Sequence, residues 1–365
     1  MDIFSDTRTV MTLDAGGTNF VFSALQAGKE ILEPVTLPAN GDNLDRSLKN
    51  MVRGFQEVES KTGRSADAIS FAFPGPADYP SGVIGDLPNM PGYRGGVALG
   101  PMLEEKFGLP VFINNDGNLF TYGEAMGGLL PEVNSRLREN GIPRQYKNLF
   151  GVTIGTGFGG GIVMNNQLCL GDNSAAGEIW LSRNYRNSAL FAEEGVSIRA
   201  VQRSYEKRAS SGTDEKMTVR EIYQIARGEK PGDKEAAVKA FEEMAVVLGE
   251  ALANAVTLVD SIIVLGGGIC GAHELFLPKA IDHMNGSIED ENGKKISRLV
   301  SSIYNLESPK SAKEFYKYKS RHVTVPYSDQ EVPYVPDKRL AAGVTRLGTS
   351  RATALGAYAY ALSQL

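Results

Sequence analysis

Two glycine-rich turns, each with a threonine, are the parts of this sequence best suited to chemistry. They are Asp14-Ala-Gly16-Gly17-Thr18 and Gly155-Thr156-Gly157. Each turn lies between two apolar runs that predict buried strands. Exposed backbone N–H groups in such turns can form an anion site. With the hydroxyls of Thr18 and Thr156, the two turns could hold a triphosphate from both sides, and the Asp14 carboxylate suits Mg²⁺ bound through water.

The second turn also has the spacing of a dinucleotide fingerprint, Gly155-x-Gly157-x-x-Gly160. That fingerprint requires a helix after the turn, because the pyrophosphate sits at the helix N-terminus. Residues 161–166 are instead glycine-rich and β-branched, and they end in an Asn-Asn turn signal. We therefore predict a hairpin here. A turn that merely needs positive φ angles, and an NAD-dependent oxidoreductase, stay as alternatives.

A strand, a glycine-rich turn and a second strand occur twice in the chain, at 10–25 and at 149–164. A strand that leads into a helix follows each copy, at 111–126 and at 262–280. This pattern predicts an α/β fold with a duplicated half. Further helices are predicted by the apolar spacing, and they cover 42–61, 97–107, 190–205, 235–259 and 352–362. The polar stretch 131–147 is interpreted as a surface insertion.

Composition limits the class of protein. The 365 residues are enough for two packed lobes. A net charge of −5 disfavours nucleic acid or an anionic membrane as the main partner. The two cysteines, Cys169 and Cys270, have no metal-ligand spacing. No signal peptide or membrane-spanning stretch is recognised, so a cytoplasmic location is expected.

Seven ordered motifs, with an eighth near the end of the chain, resemble those of one family. They are LDAGGTN (13–19), GPADYPSGVI (75–84), NMPGYRG (89–95), LPVFINNDGNLFTYGE (109–124), GVTIGTGFGGGIV (151–163), GDNSAAGEI (171–179), VLGGGI (264–269) and GTSRATALGAYAYAL (348–362). The sequence is similar to the ROK family of repressors, open reading frames and sugar kinases. The resemblance implies a two-lobed actin/hexokinase-like (ribonuclease H-like) ATPase fold, with duplicated βββαβ halves around a central ligand cleft.

The same resemblance implies a division of the chain into lobes. A small N-terminal lobe would comprise 1–126 and the C-terminal helix 352–365. A large lobe would comprise 127–351, with an insertion at about 284–340 that has no counterpart in the family pattern. Family members are often dimers, so a homodimer is expected.

The resemblance also implies roles for individual residues. Asp116 would be the catalytic base; from local sequence alone it could equally be a helix N-cap, since aspartate is favoured there. The sugar site would be formed by Gly75, Asn89, Asn115, Asp116, Glu178 and Glu193. The turn Gly266-Gly267-Gly268 would contact the adenosine of ATP, with a close-packed strand-to-helix turn as the alternative. For Glu178 and Glu193 the alternative is solvated surface.

The sequence departs from the family pattern at two places. Leu181 stands where many members have a histidine that helps bind the sugar. The segment 188–194 contains no cysteine where many members have a zinc motif. A zinc site is therefore not expected, and the identity of the sugar is in doubt.

The sequence thus predicts ATP- and Mg²⁺-dependent phosphorylation of a hexose or hexose derivative, such as glucose, an N-acetyl-hexosamine or a fructose-like sugar. One alternative is a non-catalytic sugar sensor. Another is a transcriptional regulator without its DNA-binding domain, although the 13 residues before Asp14 are too few for a helix-turn-helix.

Overall fold

The computed structural model describes residues 2–63, 66–209, 217–317 and 320–365. The chain forms two compact units. The first comprises Met1–Gly128, Gly161–Gly177 and Thr345–Leu365, and the second comprises Leu129–Gly160 and Glu178–Val344. None of the helices within the described ranges combines the length and apolar character that crossing a membrane requires. The lobe boundaries inferred from the sequence stay a prediction.

In its described residues, the first unit contains a main sheet, a small sheet and four helices. Its strands are β1 (Thr9–Ala15), β2 (Asn19–Gln26), β3 (Lys29–Glu30), β4 (Val35–Pro38), β5 (Ala68–Ala72), β6 (Ala77–Asp78), β7 (Val83–Ile84), β8 (Val97–Ala98) and β9 (Val111–Asn114). Its helices are α1 (Leu44–Thr62), α2 (Leu99–Phe107), α3 (Asp116–Gly127) and the C-terminal α10 (Thr349–Gln364). The main sheet has the order β3-β2-β1-β5-β9, with β4 also paired to β2.

Local sequence explains the ends and the buried face of α1. The Asn43 side chain accepts a hydrogen bond from the Arg46 N–H at 3.0 Å, which caps the helix N-terminus. Gly63 ends the helix in the left-handed conformation, with φ 66°. The buried stripe of α1 includes Phe55, whose ring meets that of Phe22 on β2 edge to face at 5.1 Å. The apolar spacing of the sequence therefore predicted this helix and its buried face correctly.

Two glycines allow helices α3 and α10 to pack unusually closely. A Cβ at Gly123 would overlap the Ala352 carbonyl oxygen, and a Cβ at Gly356 would overlap the Leu119 carbonyl oxygen. Glu124 of α3 is fully buried and accepts a hydrogen bond from the Arg346 N–H at 3.1 Å, in the segment before α10. The C-terminal helix is therefore an integral part of the first unit.

The second unit contains a larger sheet and the remaining helices. Its helices are α4 (Leu129–Glu139), α5 (Ile198–Arg208), α6 (Val219–Arg227), α7 (Lys234–Val259), α8 (His273–Met284) and α9 (Pro309–Phe315). The strands are β10 (Leu149–Ile154), β11 (Phe158–Met164), β13 (Ile262–Gly266), β14 (Ser287–Glu289), β15 (Lys295–Ser297), β16 (Ser302–Asn305), β17 (Arg321–Thr324), β18 (Glu331–Tyr334) and β19 (Arg339–Val344). The main sheet has the order β11-β10-β13-β19-β16. The last residues of β11, from Gly161, are assigned to the first unit, as is β12 (Gln167–Leu168), with which they pair.

Strand order confirms the duplication and corrects how its halves correspond. β1 and β10 hold equivalent central positions, and β5 and β13 lie next to them. The sequence interpretation treated β9 and β13 as equivalent strands of the two halves. The sheet order shows instead that β19 is the equivalent of β9. β19 was not recognised in the sequence, because it follows a long segment with poor apolar periodicity. Within the predicted insertion 284–340, β16 lies parallel to β19 and is therefore part of the main sheet.

Two predicted elements were wrong. The presumed surface insertion 131–147 contains most of α4, whose apolar residues, among them Val133 and Leu137, are buried. Its abundant charges mask a helical stripe with four-residue spacing. The predicted helix 190–205 is two elements, a short 3-10 helix at Ala192–Glu194 and then α5. The Ser197 side chain caps α5 by accepting from the Ala200 N–H at 3.3 Å, so a new helix starts there.

Candidate active site

Parallel strands bring the predicted residues of the first unit to one edge of its sheet. β1, β5 and β9 are parallel, with Asp14 paired to Ala72 and Ala72 paired to Asn114. The carboxyl ends of these strands therefore lie side by side. Asp14 is one of the last two residues of β1, and the turn at Gly75 and the start of α3 follow the ends of β5 and β9, at the usual location of ligands in α/β sheets.

Asp116 is placed in the first turn of α3, and the helix cap is its neighbour. The Asn115 side-chain oxygen accepts from the Gly117 N–H at 2.8 Å and serves as the N-cap. An Asp116 carboxylate oxygen also accepts from this N–H at 2.8 Å. Asn115 thus supplies the cap that local sequence could equally have assigned to Asp116.

The surroundings of Asp116 favour a proton acceptor. Its side chain reaches solvent, but the protein atoms around it exclude enough water to raise the pKa of the carboxyl. This desolvation is the largest cause; the Gly117 N–H opposes it, and the negative charge of Asp14 raises the pKa further. A carboxylate with a raised pKa is a better base than an ordinary aspartate.

The first glycine-rich turn leaves its polar groups accessible. Asp14, Gly17 and Thr18 are exposed. A Cβ at Gly16 would lie 2.9 Å from the Asn19 carbonyl oxygen, so glycine is needed for the chain to reverse. The Thr18 carbonyl accepts from the Ala39 N–H at 2.9 Å, which ties the turn to β4. A fixed backbone with free side chains suits phosphate and metal binding.

Gly75 and Asn89 lie on loops of the same unit. The Tyr79 hydroxyl donates to the Phe73 carbonyl at 3.0 Å, and a Cβ at Gly75 would lie 3.1 Å from that hydroxyl. Asn89 is exposed beside the buried Met90. Both residues are therefore accessible to a ligand, and their roles stay predictions.

Gly161 is a site residue that the sequence analysis missed. It lies on β11, and a Cβ there would stand 2.5 Å from the Gly117 carbonyl oxygen, 2.6 Å from the Thr121 hydroxyl and 2.9 Å from the Asn118 Cα. The strand thus packs directly on the turn of α3 that carries Asp116. Only a three-dimensional contact reveals this role, because 161 and 117 are far apart in sequence.

We expect Gly161→Ala to lower kcat by about 10²-fold, because a displacement of about 1 Å at the reacting groups has effects of that size. Steady-state kinetics of the variant measure this. Gly271→Ala is the matched control, because nothing lies within 4 Å of a Cβ at Gly271. Equal kcat values for the two variants would remove the positioning role of Gly161.

In the second unit, the glycine-rich turn is a hairpin. β10 and β11 flank it, and the Gly155 N–H donates to the Gly157 carbonyl at 2.9 Å. The Ile198 N–H donates to the Gly155 carbonyl at 2.8 Å, which fastens the turn to the start of α5. A strand follows the turn where a dinucleotide fingerprint needs a helix, so the predicted hairpin is confirmed.

The turn Gly266–Gly268 lies at the same sheet edge as this hairpin. β10 and β13 are parallel, with Thr153 paired to Gly266. Gly267 has φ 93°, and a Cβ there would be 2.5 Å from the Ile154 nitrogen. A Cβ at Gly268 would meet nothing within 4 Å. Close packing therefore explains why residue 267 is a glycine. The backbone of Gly268 has open space beside it, so packing does not require a glycine there.

Cys270 stabilises the same turn from inside. Its thiol donates to the Gly266 carbonyl at 2.9 Å. Burial raises the pKa of the thiol to about 12, so the group stays protonated and keeps its donor.

Glu193 is held against the hairpin. One of its carboxylate oxygens accepts from the Phe158 N–H at 3.0 Å, and the other accepts from Arg199 at 2.9 Å. The predicted alternative of a freely solvated glutamate does not describe this residue. Its role in sugar binding stays a prediction, and the contact with Phe158 gives it a second role in fixing the turn.

Glu178 and Leu181 lie on a neighbouring segment. The Trp180 indole N–H donates to Glu178, and the Trp180 ring meets Phe191 edge to face at 5.6 Å. The Ala192 N–H donates to the Ser182 carbonyl at 2.7 Å, which joins this segment to the one that carries Glu193. Leu181 is 59% exposed, so it offers an apolar surface where many family members have a histidine.

No group of three or more histidine, cysteine, aspartate or glutamate side chains suited to a metal ion occurs in the described ranges of the chain. The expectation that zinc is not used stays a prediction. A single carboxylate such as Asp14 is compatible with Mg²⁺, which typically takes one or two carboxylates together with substrate phosphates and waters.

The duplicated sheet order and the paired turns define an α/β protein with the actin/hexokinase-like ATPase fold. A model of the ROK family matches residues 10–302. The chain belongs to the ROK family.

Similar proteins of known structure or activity include several kinases. The solved structure of a glucokinase from Parabacteroides distasonis is 50% identical, with a TM-score of 0.90 and 100% of both chains covered. A glucokinase from Thermotoga maritima is 27% identical over 74% of this chain and 87% of its own length. An N-acetyl-D-glucosamine kinase from Photobacterium profundum is 28% identical over 73% of this chain and 87% of its own.

Proposed function

We propose that this protein is an ATP-dependent kinase that phosphorylates a hydroxyl of a hexose or hexose derivative. The observation that carries this proposal is the position of Asp116, beside Asp14 at the carboxyl edge of parallel strands. The 50% identical structure is named a glucokinase and supports a hexose as the acceptor. Glucose is the first candidate, and N-acetyl-glucosamine is the second, because a more distant relative is named for it.

Phosphate groups of ATP are expected at the two glycine-rich turns. In the first unit these are the N–H groups of the Gly16–Thr18 turn and the Thr18 hydroxyl. In the second unit they are Gly155–Gly157 with Thr156, and Gly268 offers open space for the adenosine. Mg²⁺, which Asp14 would hold through water, would neutralise charge on the phosphates.

Asp116 accepts the proton of the attacking hydroxyl. The sugar oxygen forms a bond to the γ-phosphorus while the bond from that phosphorus to the β–γ bridging oxygen breaks, and ADP leaves. Asn115 keeps its amide N–H groups for sugar hydroxyls, since its oxygen caps α3. Gly75, Asn89, Glu178 and Glu193 complete the proposed sugar site. A homodimer, which rests on the family resemblance, and a cytoplasmic location belong to the same proposal.

The test is a coupled assay of ADP release across a panel of sugars, followed by product analysis. We expect ADP release that depends on glucose or a close derivative, and a phosphorylated sugar in equal amount. The second candidate is a non-catalytic sugar sensor, which the departures from the family pattern between Glu178 and Glu193 favour. Sugar binding by calorimetry without any ADP release would support the sensor and reject the kinase.

The raised pKa of Asp116 predicts the pH dependence of the reaction. The base acts only when it is ionised, so kcat falls as the pH drops through its pKa. We expect the midpoint of this acid limb to lie above the range of an exposed aspartate. In the protein without Mg²⁺ and ATP, the titration midpoint of the Asp116 carboxyl, followed by NMR, should be lower in Asp14→Asn, because the Asp14 charge helps to raise the pKa. An unchanged midpoint in that variant would contradict the electrostatic part of this account.

A further inference from the structure

The second unit contains a cavity of about 390 Å³ that the proposed reaction does not use. It lies between α5, α7 and the segment 184–190. Apolar side chains, including Met244 and Val247, contribute to its lining. A cavity of this size is within the range of small-molecule sites.

Positive charge exceeds negative charge in the lining. The cations are Arg186, Arg203, Lys207 and Arg208, and the carboxylates are Glu194 and Glu243. Four positive and two negative side chains leave an excess of two positive charges. An anion with two negative charges would balance the site.

The carboxylates hold the guanidinium groups and lie deeper than they do. Glu243 contacts Arg186 at 2.6 Å and also Arg208, and its side chain is 20% exposed against 45% and 33% for the two arginines. Glu194 contacts Arg203 at 2.5 Å and is 18% exposed against 53%. The accessible part of the lining is therefore positive. Its guanidinium groups are oriented before any ligand binds, which reduces the entropy cost of binding.

Lys207 adds a cation that no ion pair neutralises within the described part of the chain. The Ser204 hydroxyl donates to Glu243 at 2.7 Å and accepts from Arg208 at 3.0 Å, which helps to hold both side chains in place. We propose that this cavity binds a phosphate monoester or free phosphate as a dianion. Arginine and lysine supply charge and donors to the phosphate oxygens, and the apolar lining accommodates the remainder of an ester.

Hydrogen bonds connect the cavity to the glycine-rich hairpin of the same unit. Arg199 contacts Glu194 at 3.6 Å and Glu193 at 2.9 Å, and Glu193 accepts from the Phe158 N–H. A phosphate that competes for Arg203 weakens the contact between Arg203 and Glu194. Glu194 is then free to draw Arg199 away from Glu193. The ligand thereby loosens the hairpin, and this regulatory consequence, unlike binding itself, rests on the proposed kinase function.

The experiment measures binding by isothermal titration calorimetry, with the full chain and without ATP or sugar. The probes are inorganic phosphate and glucose 6-phosphate. We expect saturable binding of at least one probe, with a Kd at least 10-fold higher in Lys207→Glu. The control is Lys61→Glu on α1 of the first unit, which changes the net charge equally and should bind as the wild type does. Thermal unfolding verifies that both variants are folded.

The probes distinguish the sources of the phosphate group. Tighter binding of inorganic phosphate indicates free phosphate, and tighter binding of glucose 6-phosphate indicates an ester. Equal affinities of Lys207→Glu and Lys61→Glu for both probes, or no saturable binding of either probe by the wild type, would overturn the proposal. A kinase assay without activity would leave this binding result intact, so failure of the two proposals is distinguishable.

Discussion

Replacing Asp116 by asparagine should lower kcat by about 10²- to 10⁴-fold, the contribution of a general base. The substitution keeps the size of the side chain and its ability to accept from the Gly117 N–H, but it removes the ability to take a proton. Sugar binding should persist, because Asn115 and the other proposed sugar ligands are unchanged. Single-turnover kinetics measure the chemical step, and calorimetry measures the Kd of the sugar.

Asp45→Asn is the matched control for that variant. Asp45 is also an aspartate in the first turn of a helix of the first unit, and it contacts Lys49 at 2.7 Å on the surface. Both variants lose a negative charge that interacts favourably with a helix N-terminus. Only Asp116→Asn should lose turnover. A kcat within threefold of the wild type in Asp116→Asn would assign the proton transfer to another group.

Local patterns predicted the elements that carry the site. The turn at Asp14–Thr18 and the hairpin at Gly155–Gly157 each follow from a glycine-rich stretch between two apolar runs, and both hairpins are present. The start of α3 also follows from local sequence, because Asn115 caps it. These features depend on neighbours within a few residues, so a single sequence contains the information.

Contacts between distant residues could not be predicted in this way. The sequence shows Glu193 as a glutamate and Gly161 as one of several clustered glycines. Their roles arise from Phe158 and from the first turn of α3, which the fold brings to them. The helix α4 was missed for a different reason, because its many charged residues obscure an apolar stripe with four-residue spacing.

Gly267→Ala should lower the free energy of unfolding by about 2 kcal/mol or more. The positive φ of Gly267 disfavours any residue with a Cβ, and the new carbon would press against the backbone of Ile154. Gly268→Ala should change the stability by less than about 0.5 kcal/mol, because nothing lies near the added carbon. Urea denaturation of both variants, without nucleotide, measures these differences.

The same pair of variants separates the two interpretations of the turn. If the turn only packs a strand against its neighbour, Gly268→Ala should bind ATP as the wild type does. If adenosine lies beside the open face of Gly268, the added methyl group occupies part of its site, and we expect the KM for ATP to rise at least 10-fold, about 1.4 kcal/mol. A stable Gly268→Ala variant with an unchanged KM would leave packing at Gly267 as the reason for the glycine run.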